Sequence, residues 1–301
     1  MIIALVIFLI TYILMLSFQQ YRPWIALTSA AIFIVLGYAG LFELTLFSAL
    51  SAVDYNVLLM IGGTMGTVTL FVESRMPARL AEILITKVPN VKWAVCALAL
   101  FAGVISAFVD NVATVLMVAP IGLAISRKLK ISPVPVLISI AVSSNLQGAA
   151  TLVGDTTSIL LGGYAGMTFL DFFWMLGKPG IFWGVELGAL VSLGALLFLF
   201  RKEMQTVSAK VETTVDDYIP SVLMIGTVVC LIFASFMPEP AGGFAAAVYN
   251  LRSGLICLVI CIIGVVIHCT RQGSCAIVNK ILKDLDKDTL LLLFGLFMVI
   301  E

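Results

Sequence analysis

The chain has 301 residues, of which 61% are hydrophobic and only 11% charged. Soluble domains carry about 25% charged residues, so a water-soluble globule is set aside. Lys and Arg total 17 and Asp and Glu total 17, so the net charge is zero and nothing recommends nucleic acid as a partner.

Apolar runs of 17 or more residues recur along the whole length, the mark of an all-α polytopic membrane protein. The first run, "MIIALVIFLITYILMLSF", has no basic n-region and no small-residue cleavage site. It reads as a transmembrane helix rather than a signal peptide. Spans are expected near residues 2–18, 24–42, 55–74, 180–200, 219–237 and 247–267, with another starting at about 289. The stretch 74–87, "SRMPARLAEILITK", mixes Arg75, Arg79, Glu82 and Lys87 into an apolar pattern and predicts a helix lying along the interface.

Two segments do not read as plain spans. The run "SAFVDNVATVLMVAP" (106–120) holds Asp110-Asn111 at its centre. Its arms, 93–109 and 112–126, reach roughly 22–25 Å as helices, short of a hydrocarbon core of about 30 Å. A re-entrant hairpin over about 93–126 is expected, with an exposed turn between two tight spans as the alternative. Residues 134–166 would run roughly 50 Å as one helix, too long for one span. Their middle, "SSNLQGAATLVGDTTS" (143–158), is polar and carries Gly148 and Gly154. Either one helix breaks in mid-membrane or two spans flank a polar loop.

Basic residues decide between these. With one broken crossing, 15 of the 17 Lys and Arg residues fall on one side, leaving only Lys178 and Arg252 opposite. With two crossings the split is 10 to 7. Insertion selects the strong bias, so the broken helix is expected, with the N-terminus outside and the hairpin entering from the cytoplasm. The loop 202–218 becomes a cytoplasmic linker. All four tryptophans fall near expected span ends, as an aromatic belt requires.

"DYNVLLMIGG" (54–63) and "DKDTLLLLFG" (286–295) match at Asp54/Asp286, Leu58/Leu290, Leu59/Leu291 and Gly63/Gly295. Each opens the third span of its half. The first half (1–201) has an odd number of crossings, so the second (219–301) must start on the opposite face. That is the inverted repeat of secondary transporters. The second repeat is expected to be incomplete in this chain. A working form is expected to include about 130–150 further residues, by the length of the first half.

Ionisable groups at membrane depth cost several kcal/mol unless paired or wetted, so Asp110 and Asp155 are functional candidates. Asn111, Thr114, Ser144, Asn145, Gln147, Thr151, Thr156, Thr157 and Ser158 add neutral donors and acceptors. Gly148 and Gly154 permit unwound backbone, whose freed carbonyls suit a cation. Asp155 followed by Thr156, Thr157 and Ser158 is also capping chemistry for the next half-helix. A sodium ion is expected near Asn111 and Asn145, the latter placed in the unwound segment. Glu186 and His268 read as interfacial or helix-contact residues. The six cysteines read as small buried apolar residues, with no metal-ligand spacing against the single histidine.

At these residues the sequence resembles the ion transporter superfamily. The nearest branch holds citrate-transporter-like proteins, arsenite permeases, NhaD-type antiporters and divalent-anion/sodium symporters. The Asp-Asn-Val-x-Thr of Asp110–Thr114 and the Ser-Asn…Gly-x-Ala-Thr-Leu-x-Gly-Asp of Ser144–Asp155 carry the resemblance, which covers about residues 45–200. It implies that the first motif is the tip of a cytoplasmic hairpin, that the second is the helix break, and that both face the substrate and sodium site. Thr156-Thr157-Ser158 stands where the family usually has Pro-Pro-Asn, so substrate identity does not transfer.

The expected function is secondary active transport of a small anion, a carboxylate or inorganic oxyanion, coupled to Na⁺ or H⁺. A Na⁺/H⁺ antiporter and a non-transporting fragment are the alternatives. An intramembrane aspartyl protease is disfavoured, because Val109 and Leu152 stand where that enzyme pattern wants Tyr and Gly. No resident cofactor is expected. The expected partners are the anion, membrane lipid, and either a second copy of the chain or a polypeptide supplying the rest of the second half.

Overall fold

Several helices in this chain begin at a capping side chain, Thr45, Asp54, Asn90, Asp110, Asp155 and Asp286 among them. The computed structural model describes residues 2–41, 45–129, 131–207 and 213–300. The first three spans become α1 (Ile2–Ser17), α2 (Arg22–Tyr38) and α4 (Tyr55–Glu73), with a short α3 (Leu46–Ser51) before α4. The Asp54 side chain caps α4 by accepting from the Val57 amide at 3.0 Å. The interfacial stretch forms α5 (Met76–Thr86), entered through Arg75 in the left-handed conformation with Pro77 in the first turn.

The hairpin segment forms α6 (Val91–Ser106) and α7 (Asn111–Leu129), and the next segment α8 (Pro133–Gly148) and α9 (Thr156–Tyr164). Residues 149–155 between α8 and α9 are not helical, so the break lies later than the 143–158 centre suggested. Asn145 is therefore still helical, in the last turn of α8, and not in the unwound segment. Its Nδ2 donates to the Ala141 carbonyl at 2.9 Å, so its polarity is satisfied within the helix. A two-stranded turn, β1 (Trp174–Met175) with β2 (Lys178–Pro179), leads into α10 (Ile181–Leu199).

After the linker come α11 (Ile219–Ser235), α12 (Gly243–Asn250) and α13 (Arg252–Gln272), then α14 (Ala276–Asp284) and α15 (Lys287–Ile300). The span expected at 247–267 is shifted to α13. The chain turns at Leu251, where Arg252 Nη1 donates to the Tyr249 carbonyl at 2.9 Å and the guanidinium sits 3.9 Å from the Tyr249 ring centroid. α14 was unforeseen. Its Lys280 pairs with Glu73 at the end of α4. The α2, α4, α10 and α13 regions are long and apolar enough to cross a membrane.

α4 is the ruler of the molecule. Along α13, Gly254 lies against Asn56 and Leu59, Gly63 against Cys257, Gly66 against Cys261, and Gly264 against Leu70. The contacts rise together, so α4 and α13 run parallel. Any Cβ at Gly63 would lie 2.5 Å from the Cys257 carbonyl carbon, so only glycine permits this approach. α15 packs on α2 in the same manner, with Gly295 against the Ala26–Leu27 backbone.

α9 lies beside the opposite end of α4 from α5: Gly163 meets Val57 and Asp54. α6 and α8 run parallel, with Gly103 against Gln147 and Ser106 against Gly148. The hairpin tip packs with Val68 and Phe71 of α4 through Val109 and Phe108. The end of α10 returns to the base of α6: the Val91 amide donates to the Gln205 carbonyl and the Lys92 amide to Glu203, each at 3.0 Å. The described part of the linker is tied down rather than free. Thr213 donates its amide and hydroxyl to Glu82 at 2.9 and 2.7 Å.

Candidate functional site

The two polar motifs meet. Asp110 precedes α7, and its Oδ2 accepts from the Val112 and Ala113 amides at 3.0 and 3.1 Å, capping the helix. Asp155 caps α9 in the same way, with Oδ1 accepting from the Thr156 amide at 2.7 Å and Oδ2 from the Thr157 hydroxyl at 3.0 Å. Both carboxylates therefore have structural work. Asp110 does its work with one oxygen; its Oδ1 has no hydrogen-bond partner among the described residues.

The hairpin tip is stapled to α8 and the break. Asn111 Nδ2 donates to Asn145 Oδ1 at 2.7 Å. Ser144 Oγ donates to Ser106 Oγ and to the Asn111 carbonyl, each at 3.1 Å. Thr151 donates its hydroxyl to the Ala107 carbonyl, and Ser158 reaches the Gly148 carbonyl at 3.5 Å. Gly154 is pressed into this joint. A Cβ there would lie 2.4 Å from the Gly148 carbonyl oxygen and 2.7 Å from those of Ser106 and Ala107. Three carbonyl dipoles thus crowd one point of the break.

A cavity of about 20 Å³ lies between Asp110, Asp155, Gly154 and Thr156 on one side and Ile61, Thr64, Met65 and Val68 of α4 on the other. One water needs roughly 10–15 Å³ of such space, so the cavity has room for a single water or ion and not for a carboxylate ligand. Its α4 lining is centred near residue 64, the middle of a helix spanning 55–73. Asn111 and Asn145 are not part of that lining; they bond one another nearby. Thr114, fully buried, and Gln147, 1% exposed, each leave a buried side-chain oxygen without a partner among the described residues.

A second, polar cavity of about 480 Å³ opens at the Asp54 end of α4. Asp54, Asn56, Thr168, Glu239 and Arg252 line it. Its volume suits a small organic ligand. Met60 and Leu152 lie in its wall, and their chain neighbours Ile61 and Val153 line the small cavity.

Every site residue expected from the sequence lies at or beside this joint. Those that were not foreseen are Ser106, the Ala107 carbonyl and Thr64. Their signal was present: a serine four residues before Asp110, and a Gly/Thr-rich pattern, "GGTMGTVT" (62–69), in an otherwise apolar span.

Comparison with known proteins agrees with the motifs. A family model described as citrate transporter (CitMHS) matches residues 4–301. An uncharacterized transporter of Mycobacterium tuberculosis is 27% identical over 310 residues, 99% of this chain and 67% of that protein. A 46 kDa membrane protein of Mycobacterium leprae is 28% identical over 254 residues, 79% of this chain and 56% of its own length. The human P protein is 32% identical over 110 residues, 36% of this chain and 13% of that protein. With a family match across nearly its whole length and the two polar motifs joined at mid-helix, the chain belongs to the CitMHS citrate transporter family.

Proposed function

We propose that the working form of this protein carries a small anion, a carboxylate or inorganic oxyanion, across the membrane, driven by a Na⁺ or H⁺ gradient. The observation that carries this is the pair of carboxylates, Asp110 and Asp155, lining a one-ion cavity at the middle of α4. A carboxylate at membrane depth serves a cation or proton and repels an anion. The anion needs another place, and the 480 Å³ polar cavity with Arg252 in its wall has the size and the charge. The coupling ion occupies the small cavity, where the crowded carbonyls of Ser106, Ala107 and Gly148 favour positive charge.

In this reading α6–α7 is a re-entrant hairpin whose base is cytoplasmic, and α8–α9 is one broken crossing. The level of the tip at mid-α4, and the return of α10 to the start of α6, support both. The parallel run of α4 with α13 supports an inverted repeat. These are the third span of one half and the second of the other, and alternating spans make them parallel only if the halves are inverted.

A Na⁺/H⁺ antiporter is the second reading, favoured by the small cavity, which holds an ion without needing an anion. Proteoliposome assays separate the two. Labelled carboxylates taken up under an imposed Na⁺ or pH gradient support anion transport; Na⁺-driven proton movement with no uptake supports antiport. Asp110→Asn tests the site in either case. Asparagine caps helices as well as aspartate does, so the fold should hold to within about 0.5 kcal/mol. Ion dependence of transport should be lost. Transport by Asp110→Asn with unchanged ion dependence would mean that Asp110 is a cap and nothing more.

A further inference from the structure

The wide cavity at the Asp54 end of α4 is walled by charges of both signs. α4 and α13 both begin there: Asp54 caps the first turn of α4, and Arg252 opens α13. Glu239 joins them from the turn between α11 and α12. The Tyr249 hydroxyl ties that turn down by donating to the Met237 carbonyl at 3.2 Å, so Glu239 and Arg252 are brought to one space. Ser253 in the wall belongs to the first turn of α13, whose amides add partial positive charge beside Arg252.

Each charged group keeps atoms to spare. Asp54 uses Oδ1 on the Val57 amide, and its Oδ2 has no hydrogen-bond partner among the described residues. Arg252 uses Nη1 on the Tyr249 carbonyl and stacks on that ring, which leaves Nε and Nη2 without an acceptor among the described residues. Glu239 has neither a hydrogen bond nor an ion pair among the described residues, and Arg252 pairs with neither carboxylate. Two carboxylates against one guanidinium leave the wall net negative. Such a wall repels a plain dicarboxylate or oxyanion and suits a ligand that brings a positive group of its own.

We infer that this cavity selects a small carboxylate bearing an amino group, an amino acid rather than a plain polycarboxylate or an inorganic oxyanion. The ligand's carboxylate lies on the Arg252 guanidinium and the start of α13. Its ammonium lies between Asp54 and Glu239 and donates to their open oxygens. Asp54 and Glu239 are then the specificity-determining residues. The cavity is the one read above as the anion's place, and the choice of ligand rests on that reading.

The test is equilibrium binding of labelled L-glutamate and glutarate to the purified chain in detergent, in buffer free of divalent cations. Both ligands are anions at neutral pH, and they differ by one ammonium group. L-Glutamate should bind at least about tenfold more tightly, the effect of a charge-assisted hydrogen bond. Glu239→Gln, at an exposed position, should weaken L-glutamate about threefold, the effect of one exposed ion pair, without weakening glutarate. Adding Asp54→Asn, which keeps the α4 cap, should erase the remaining preference, and glutarate binding by that double variant shows that it is folded. Arg252→Gln should weaken both ligands. Equal or tighter binding of glutarate by the wild type, or a preference for L-glutamate that survives the double variant, overturns the choice of ligand and leaves the cavity an anion site. Binding of neither ligand, or undiminished binding by Arg252→Gln, overturns both.

Discussion

Gly154 carries the tightest constraint at the site. Its α-carbon faces three backbone carbonyls, and backbone cannot swing aside as a side chain can. Gly154→Ala should therefore destabilise the protein by about 1–3 kcal/mol, the range for overpacking a well-packed interior. Thermal unfolding of the purified protein in detergent should register it as a lower midpoint; an unchanged midpoint would mean that the joint is loose. At this scale the sequence was readable for type and less so for role. Asp110, Asn111, Ser144, Asn145, Thr151 and Gly154 announce themselves as polar or glycine residues in apolar surroundings. Whether Asn145 breaks its helix is not local information. Its helical state rests on bonds to Ala141 within the turn and to Asn111, 34 positions away.

The helix crossings supply a sharper contrast. Gly62 and Gly63 are neighbours on α4, yet a Cβ at Gly62 meets nothing within 4 Å, whereas one at Gly63 strikes the α13 backbone. Gly62→Ala should be neutral or stabilising by up to about 1 kcal/mol through helix propensity. Gly63→Ala should destabilise by about 1–3 kcal/mol, and Gly295→Ala, at the α2 crossing, by a similar amount. Unfolding midpoints of the three variants check this; equal effects at Gly62 and Gly63 would remove the argument for close packing there. The weak repeat between 54–63 and 286–295 gains physical sense from these contacts. Asp54 and Asp286 both cap helices, and Gly63 and Gly295 both admit another helix's backbone. Spans longer than 15 residues were legible from apolar length alone. The short α3 and α14 were missed although each carries a local signal, a Thr45–Ser48 capping box at α3 and Ile277, Val278, Ile281 and Leu282 at helical spacing in α14.

For the molecule as a whole, the split of basic residues predicts an orientation. Cysteines placed singly at Ser132 and Glu203 in a cysteine-free background should resist a membrane-impermeant thiol reagent applied outside cells, and one at Lys178 should react. Both protected sites flank the hairpin base, since residues 203–206 pair with residues 90–92. Labelling at Glu203 but not at Ser132 would mean that residues 134–166 cross twice, and the inverted repeat would fall with that. Membrane class and helical architecture were visible from composition. The ion-sized and the polar cavity were not, because each is assembled from elements between about 40 and 200 residues apart in the chain.

The parallel crossing of α4 and α13 also sets a schedule for biogenesis. The face of α4 that receives α13 carries Gly63, Gly66 and Leu70, and its partner ends at Gln272. At roughly 5–20 residues per second, a ribosome that has finished α4 needs on the order of 10–40 s more to finish α13. Throughout that interval α4 sits in the bilayer with its closest-packing surface unoccupied, available to lipid, to the insertion machinery or to a quality-control protease. Nascent chains arrested between residues 73 and 272 should therefore be degraded faster than chains released after 272, since the first half can be threaded early but cannot be locked until its distant partner arrives.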